Sequence, residues 1–144
     1  MRVLFDTSVL LPALIRHHSE HGQARPWLER GQRGEFQFVV GTHTLAELFS
    51  VLTRYPIRPR ISPRTALSLI EENVASSATL IELSASDYLE VLRRQTRLGN
   101  PGGTVYDALI AHAAQKAEAD VLLTLNPHHF LRVWPEGEGR IRTP

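Results

Sequence analysis

Short apolar runs alternate along the chain with longer segments in which apolar residues recur at helical spacing. A short continuous apolar run bounded by turn residues predicts a buried β-strand. Four such runs are RVLF at residues 2–5, FQFVV at 36–40, TLIEL at 79–83 and VLLTL at 121–125. The C-terminal sequence PEGEGRIRTP adds at most a short edge strand.

The segments between these runs have the periodicity of amphipathic helices. The clearest is Thr42–Tyr55, in which Leu45, Leu48, Phe49 and Leu52 share one face. The other predicted helices are SVLLPALI, broken or kinked near Pro12, then Ala24–Gly31, Arg64–Asn73, Ala85–Leu98, Thr104–Ala119 and a short helix starting at Pro127. Loops are predicted at His17–His21, YPIRPRISP and GNPGG because proline, glycine and polar residues cluster there.

Strands that alternate with helices predict an α/β fold with a central, mainly parallel sheet flanked by helices on both faces. A chain of 144 residues fits one domain with a sizeable core, so we expect a single domain over residues 1–144. No apolar run is long enough to span a bilayer, and MRVLF leads directly into a strand. We therefore expect neither a membrane segment nor a signal peptide.

Composition narrows the possible chemistry. The chain has no cysteine, which excludes disulfides, iron–sulfur clusters and thiolate zinc sites and agrees with a cytoplasmic protein. The net charge is only +1, so no strong overall attraction to nucleic acid follows. Lys116 is the only lysine, and the other formal cations are arginines. Arginine binds phosphate in a fixed fork, although a GC-rich genome or a thermophilic source would produce the same bias.

Four polar residues fall where the predicted strands give way to helices. Asp6 directly follows RVLF, Asn126 follows Val121–Leu123, and Glu47 and Asp107 each lie in the first turn of a predicted helix. In a chain of alternating strands and helices, such positions converge on one edge of the sheet, where ligands bind. Several carboxylates at that edge, with no obvious nucleophile, predict a site for a hard divalent cation.

Helix capping is the alternative interpretation of each of these residues. Thr44–Glu47 and Thr104–Asp107 both match the capping-box pattern, and Asp6 and Asn126 are suitable N-cap residues. When each residue is considered alone, helix capping is the favoured interpretation. Taken together they favour a cation site, because crowded unpaired carboxylates repel each other and raise each other's pKa, and a bound cation removes that cost.

Histidines offer a weaker alternative, a zinc site. His17, His18 and His21 lie in one predicted loop, and His128 and His129 follow the last long strand. No pair combines the helical i, i+4 spacing with a third ligand. His128 or His129 could instead reach RNA near the same edge of the sheet, although a surface role is the simpler interpretation.

Four motifs in order give the chain a family resemblance. They are RVLFDTSVLLPAL, THTLAELFSVLTR, TVYDALIAHAA and ADVLLTLNPHHF. Over nearly its whole length the chain resembles the PIN-domain nucleases, and most closely the VapC toxins of bacterial and archaeal toxin–antitoxin pairs. No single motif is specific, but four in the right order at domain-scale spacing are.

The resemblance implies a role for each matching residue. The family's three acidic metal ligands, which are also its catalytic residues, fall on Asp6, Glu47 and Asp107. The hydroxyl residue after the first aspartate falls on Thr7 or Ser8. The family's T-x-D/N element falls on Thr124 and Asn126. Many relatives carry aspartate where this chain has Asn126, so the number of metal ions, one or two, is left open.

The resemblance also implies an activity and partners. The implied function is an endoribonuclease that uses Mg²⁺ or Mn²⁺, cleaves RNA phosphodiester bonds, forms a homodimer and is neutralised by a cognate antitoxin. The arginines of the proline-rich loop are candidates for contact with the RNA backbone, and they are Arg54, Arg58, Arg60 and Arg64. The alternative is a catalytically weak PIN-like module that binds RNA or a protein partner, which the neutral Asn126 keeps open.

Overall fold

A single five-stranded sheet organises the computed structural model, which describes residues 1–144. Every neighbouring pair of strands is parallel, and the strand order is β3-β2-β1-β4-β5. The strands are β1 (Arg2–Phe5), β2 (Gln37–Gly41), β3 (Thr79–Ile81), β4 (Val121–Leu123) and β5 (Ile141–Arg142). The predicted parallel sheet is therefore confirmed, and the C-terminal sequence contributes the short edge strand β5.

Seven α-helices connect and cover these strands. They are α1 (Thr7–Leu14), α2 (His21–Gln32), α3 (Thr42–Arg54), α4 (Pro63–Ile70), α5 (Ala85–Leu98), α6 (Thr104–Lys116) and α7 (Pro127–Val133). None of these helices has the length and apolar character needed to cross a bilayer.

The two faces of the sheet carry two separate hydrophobic cores. Side chains alternate between faces along a strand, so Val3 and Phe5 of β1 enter one core while Leu4 enters the other. The first core contains residues of α1 to α4, including Leu10 and Leu48. The second is formed largely by α6 and α7. Burial on both sides explains why the central strand is continuously apolar rather than alternating.

Several helices differ from the prediction. Helix α4 ends at Ile70 rather than Asn73, and α6 ends at Lys116 rather than Ala119. Helix α1 is not broken at Pro12, because the helix continues to Leu14 and the proline interrupts only its last turn. Helix α2 begins at His21 rather than Ala24, which shortens the predicted polar loop. A ring nitrogen of His21 lies 2.8 Å from the carbonyl oxygen of Pro12 and links the start of α2 to the end of α1.

The junction between β2 and α3 is unusually tight. Gly41 ends β2 and is also the N-cap of α3. A Cβ atom at residue 41 would lie 3.2 Å from the Cβ of Ala113 in α6, closer than ordinary van der Waals contact. Glycine therefore lets α3 start close against α6, and these two helices carry two of the candidate site residues.

Candidate metal and active site

The central strand β1 ends directly at the first candidate residue. Asp6 follows Phe5, and its backbone N–H donates to the carbonyl oxygen of Leu123 at the end of β4 (3.0 Å). Its own carbonyl oxygen accepts hydrogen bonds from Val9 and Leu10 in α1. Asp6 is thereby fixed between the sheet and the first helix, and only 4% of the residue is exposed.

Two hydroxyl groups hold the carboxylate of Asp6. Ser8 Oγ and Thr124 Oγ1 both donate to Asp6 Oδ2, at 2.6 and 2.8 Å. Backbone N–H groups of Leu125 and Asn126 in turn donate to these two hydroxyl oxygens, at 2.9 and 3.0 Å respectively. Each hydroxyl group has a single hydrogen. Because the oxygens of Ser8 and Thr124 accept from backbone N–H groups, their own hydrogens remain free to donate to Asp6.

The other two candidate carboxylates approach from helices on opposite faces of the sheet. Glu47 belongs to α3, and 35% of its side chain is exposed. Asp107 belongs to the first turn of α6, and 30% of its side chain is exposed. The oxygens Glu47 Oε2 and Thr7 Oγ1 are both buried, and neither makes a hydrogen bond of ordinary geometry. A weaker contact between the two side chains has only a small lowering effect on the pKa of Glu47. Two buried oxygens so poorly satisfied at this edge of the sheet fit a site for a ligand.

The three carboxylates influence one another electrostatically. Burial raises the pKa of Asp6, although the hydrogen bonds from Ser8 and Thr124 oppose this rise. Burial also raises the pKa of Glu47, and the charges of Asp6 and Asp107 raise it further. The pKa of Asp107 is raised by burial and by Asp6, against a smaller opposing effect of His129. A bound cation would reverse each of these effects.

The capping interpretation is wrong for Glu47 and Asp107. Helix α3 begins at Thr42, so Thr44 is its third residue and Glu47 lies in the second turn rather than the first. Helix α6 has Gly103 at its N-cap, and Asp107 makes no cap hydrogen bond. Asp6 and Asn126 do occupy N-cap positions, but neither makes a side-chain cap bond.

The carboxylates share one edge of the sheet without forming a closed ligand cage. No group of three or more histidine, aspartate or glutamate side chains is arranged to hold a metal ion directly. We expected carboxylate oxygens close enough to share an ion, and the side-chain positions do not show this. The unpaired oxygens and raised pKa values still fit a hard cation, because Mg²⁺ keeps several waters and needs only one or two carboxylates.

The remaining sequence candidates lie near the centre or on the surface. Asn126 is exposed, and its backbone N–H reaches the centre only through Thr124. Of the four arginines predicted to lie in the proline-rich loop, Arg54 instead ends α3 and Arg64 lies in α4. All four are exposed and form no salt bridge within the chain, and they are Arg54, Arg58, Arg60 and Arg64.

Two aromatic residues beside the carboxylates were not predicted from the sequence. His43 Nε2 lies 3.2 Å from Glu47 Oε2, without the geometry of a hydrogen bond. The ring of His43 is parallel to that of Tyr106, with 5.5 Å between the ring centroids and 3° between the planes. Burial lowers the pKa of His43. Their positions in the sequence could have identified them, because His43 precedes Glu47 by one helical turn and Tyr106 is next to Asp107.

Of the histidines considered from the sequence as metal ligands or RNA contacts, His129 lies at the site. Its Nδ1 lies 3.8 Å from Asp107 Oδ2. A cavity of about 220 Å³ opens beside Asp107, and it is lined by Gly103, Thr104, Asp107, His129 and Arg132. The acidic centre is therefore bordered by cationic and polar groups on the side of α7.

Comparison with known proteins places this arrangement in a family. The PIN domain family matches residues 3–133. Ribonuclease VapC27 of Mycobacterium tuberculosis is 34% identical over 116 residues, covering 81% of this chain and 79% of that protein. Ribonuclease VapC40 of the same species is 31% identical over 117 residues, covering 81% of each. This chain belongs to the PIN domain family and, within it, to the VapC ribonucleases.

Solved structures show the same fold at lower identity. VapBC2 from Rickettsia felis, bound to a DNA fragment from its promoter, gives a TM-score of 0.69 at 20% identity and covers 100% of this chain and 99% of that chain. Mycobacterium tuberculosis VapC20, a Sarcin-Ricin loop cleaving toxin, gives a TM-score of 0.65 at 16% identity and covers 83% and 86% respectively. The α/β PIN fold expected from the motifs is thus confirmed.

Electrostatic repulsion at the acidic centre predicts a pH-dependent gain in stability on removal of one charge. The pKa of Glu47 is raised above its ordinary value of 4.5, so the folded state binds this proton more tightly than the unfolded state. In metal-free buffer Glu47→Gln should therefore raise the melting temperature at neutral pH. The gain should shrink as the pH falls through the raised pKa and vanish below about 4.5.

Thermal unfolding in the presence of a chelator, from pH 4 to pH 8, measures this effect. The matched control is Glu90→Gln, since Glu90 is exposed on α5 and forms no salt bridge. A Glu47→Gln variant that is less stable than the parent at neutral pH would show that the carboxylate is not under repulsion.

Proposed function

We propose that this protein is a metal-dependent endoribonuclease toxin that cleaves RNA phosphodiester bonds. The observation that carries the proposal is the buried carboxylate of Asp6, fixed by two hydroxyls beside Glu47 and Asp107. Membership of the VapC ribonucleases supports RNA as the substrate. The proposed nuclease domain extends over residues 1–144.

Mg²⁺ or Mn²⁺ is the cofactor that these side chains fit best. Asp6, Glu47 and Asp107 would hold the ion, with water filling the remaining positions. When bound, such an ion activates a water molecule and neutralises charge in the transition state of phosphodiester hydrolysis. Ser8 and Thr124 orient the Asp6 carboxylate, and Thr7 offers its unpaired hydroxyl at the same edge.

The arginines in and beside the proline-rich loop are the proposed contacts for the RNA backbone. All four are exposed and form no salt bridge, so their charges are available to phosphate. They are Arg54, Arg58, Arg60 and Arg64. Since the net charge of the chain is only +1, attraction of RNA depends on local groups of this kind rather than on the overall charge.

The proposed partners follow from the relatives. A VapBC2 assembly from Rickettsia felis and the FitAcB structure from Neisseria gonorrhoeae share this fold. We infer that a cognate antitoxin neutralises this chain, that the chain is cytoplasmic and that it forms a homodimer. The competing function, a PIN-like module that binds without cutting, is favoured by one observation: the carboxylates do not form a preformed metal cage.

Loss of a single aspartate at the centre should abolish cleavage. We expect Asp6→Asn and Asp107→Asn each to reduce Mn²⁺-dependent cleavage of a structured RNA by more than about 100-fold, because removal of an outer-sphere group alone costs about 10- to 100-fold. Mn²⁺ should raise the melting temperature of the parent and raise that of either variant less.

Asp120→Asn is the matched control, since Asp120 is exposed and lies before β4, at the opposite end of the strand from Thr124. This variant should cleave like the parent. Full cleavage by Asp6→Asn would exclude Asp6 from the reaction, and a parent that binds RNA without cutting it would favour the binding module.

The hydroxyl of Thr124 should matter through the carboxylate that it orients. Thr124→Ala removes the 2.8 Å hydrogen bond to Asp6 Oδ2 and should weaken Mn²⁺ affinity by about 10- to 100-fold. Thr124→Ser keeps the hydroxyl and should restore most of the affinity. Calorimetric Mn²⁺ titration compares the two variants with the parent, and equal affinities of Thr124→Ala and Thr124→Ser would show that the hydroxyl does not support the site.

Asn126 provides a test of the number of ions. Asn126→Asp adds a fourth carboxylate almost isosterically. If residue 126 faces the ion, Mn²⁺ should bind more tightly or at a second site, and the metal-free protein should lose stability through repulsion. If Asn126 only precedes α7, aspartate occupies that position equally well. Unchanged affinity and stoichiometry in a calorimetric titration would place Asn126 outside the site.

A further inference from the structure

The parallel rings of His43 and Tyr106 connect the two helices that carry the candidate carboxylates Glu47 and Asp107. His43 is in the first turn of α3, one turn before Glu47, and Tyr106 directly precedes Asp107 in α6. The ring centroids are 5.5 Å apart and the planes differ by 3°. The stack therefore joins α3 to α6 at the edge of the sheet where Asp6 ends the central strand.

Of the two rings, His43 contacts Glu47, whereas Tyr106 is largely exposed. The side chain of His43 is 24% exposed, and its Nε2 is buried against Glu47. Tyr106 is 54% exposed, although the parallel ring of His43 lies against it. This exposure leaves ring surface that the fold does not cover. The phenol oxygen makes no hydrogen bond within the chain, so the fold makes no use of the polar end of Tyr106.

An aromatic contact would help an RNA-cleaving centre to hold its substrate. Phosphate contacts position RNA without reading it, whereas unstacked bases are commonly bound on aromatic side chains. The three carboxylates repel the phosphate backbone until a cation is bound, and the net charge of +1 adds little attraction. A flat apolar surface beside the carboxylates supplies binding energy that does not depend on charge.

We propose that the His43–Tyr106 pair is a stacking platform for one base of the RNA substrate. Tyr106 stacks on the base of a nucleotide adjoining the phosphate at the acidic centre, and His43 supports the tyrosine ring from the opposite face. The platform rests on the proposed ribonuclease function and adds a positioning role for Tyr106. It takes a base by its π-face and is tolerant of base identity.

The test compares two RNA probes of equal length and charge, an oligoadenylate and the corresponding abasic ribose-phosphate chain. Binding is measured by fluorescence anisotropy with Mn²⁺ present, in the Asp6→Asn background so that the probes are not cut. Tyr106→Ala should weaken oligoadenylate binding about tenfold, within the range for loss of one aromatic stacking partner. The same variant should bind the abasic chain as its parent does.

Two further variants separate stacking from packing. Tyr106→Phe keeps the ring and loses only a hydroxyl that has no partner, so it should bind oligoadenylate like its parent. Tyr88→Ala is the matched control, because Tyr88 is also exposed, at 42%, but lies on α5. It should change neither affinity. If Tyr106 merely holds α3 against α6, Tyr106→Ala should lower the melting temperature and weaken binding of both probes equally.

The outcomes distinguish the platform from the function on which it rests. The platform would be overturned if Tyr106→Ala bound oligoadenylate as tightly as its parent, or if it lost equal affinity for the two probes. In that case, Mn²⁺-dependent RNA cleavage by the wild-type chain would still support the nuclease. A wild-type chain that cuts no RNA, together with an Asp6→Asn variant that binds no oligoadenylate, would overturn both. A loss confined to the base-containing probe and rescued by phenylalanine would establish the platform.

Discussion

The buried charge of Asp6 is the constraint on which the rest of the site depends. An isolated ionised carboxylate in an apolar interior is very costly unless other groups hydrogen-bond to it. Here the hydroxyls of Ser8 and Thr124 supply that compensation, and they come from parts of the chain 116 residues apart. The same carboxylate therefore ties the start of α1 to the end of β4. A change at the start of α1 or at the end of β4 therefore alters the surroundings of the Asp6 carboxylate. The local fold and the properties of the candidate metal site thus depend on each other.

Two kinds of carboxylate coexist in this chain, and the difference between them is informative. Asp87 receives Lys116 Nζ at 2.7 Å, His112 Nε2 at 3.2 Å and the backbone N–H of Ser84 at 2.8 Å, and these partners hold its pKa well below the ordinary range. Glu47 has a buried oxygen with no partner and a raised pKa. A carboxylate whose oxygens accept several hydrogen bonds stabilises the fold. A carboxylate that lacks such partners and lies beside other carboxylates destabilises the fold, which suggests a functional reason for its presence. Within the centre, Glu47 thus differs from Asp87 because it has no such set of donors.

The sequence was sufficient for the fold because the strands are buried on both faces and their apolar runs are separated by strongly periodic helices. It was also sufficient to bring Asp6, Glu47 and Asp107 to one edge, since parallel strands share their carboxyl ends. The predicted start of α3 at Thr42 was right, but the local pattern Thr44–Glu47 wrongly suggested a capping box. The close approach of Gly41 to Ala113 depends on tertiary packing, which leaves no local pattern. The stack of His43 on Tyr106 was missed for the same reason, because its two residues are distant in sequence.

Repulsion at the acidic centre has a consequence for how ligands bind there. Without a cation the carboxylates oppose both each other and the phosphates of RNA, so RNA gains little at this edge of the sheet. On the proposed function, a bound cation would take the same oxygens as ligands and leave positions open for phosphate. RNA and the ion would then strengthen each other's binding by equal factors, because coupling between two ligands is reciprocal. On the proposed function, the incomplete ligand cage is therefore what makes the centre depend on its substrate, since a fully caged ion would have no open position for phosphate.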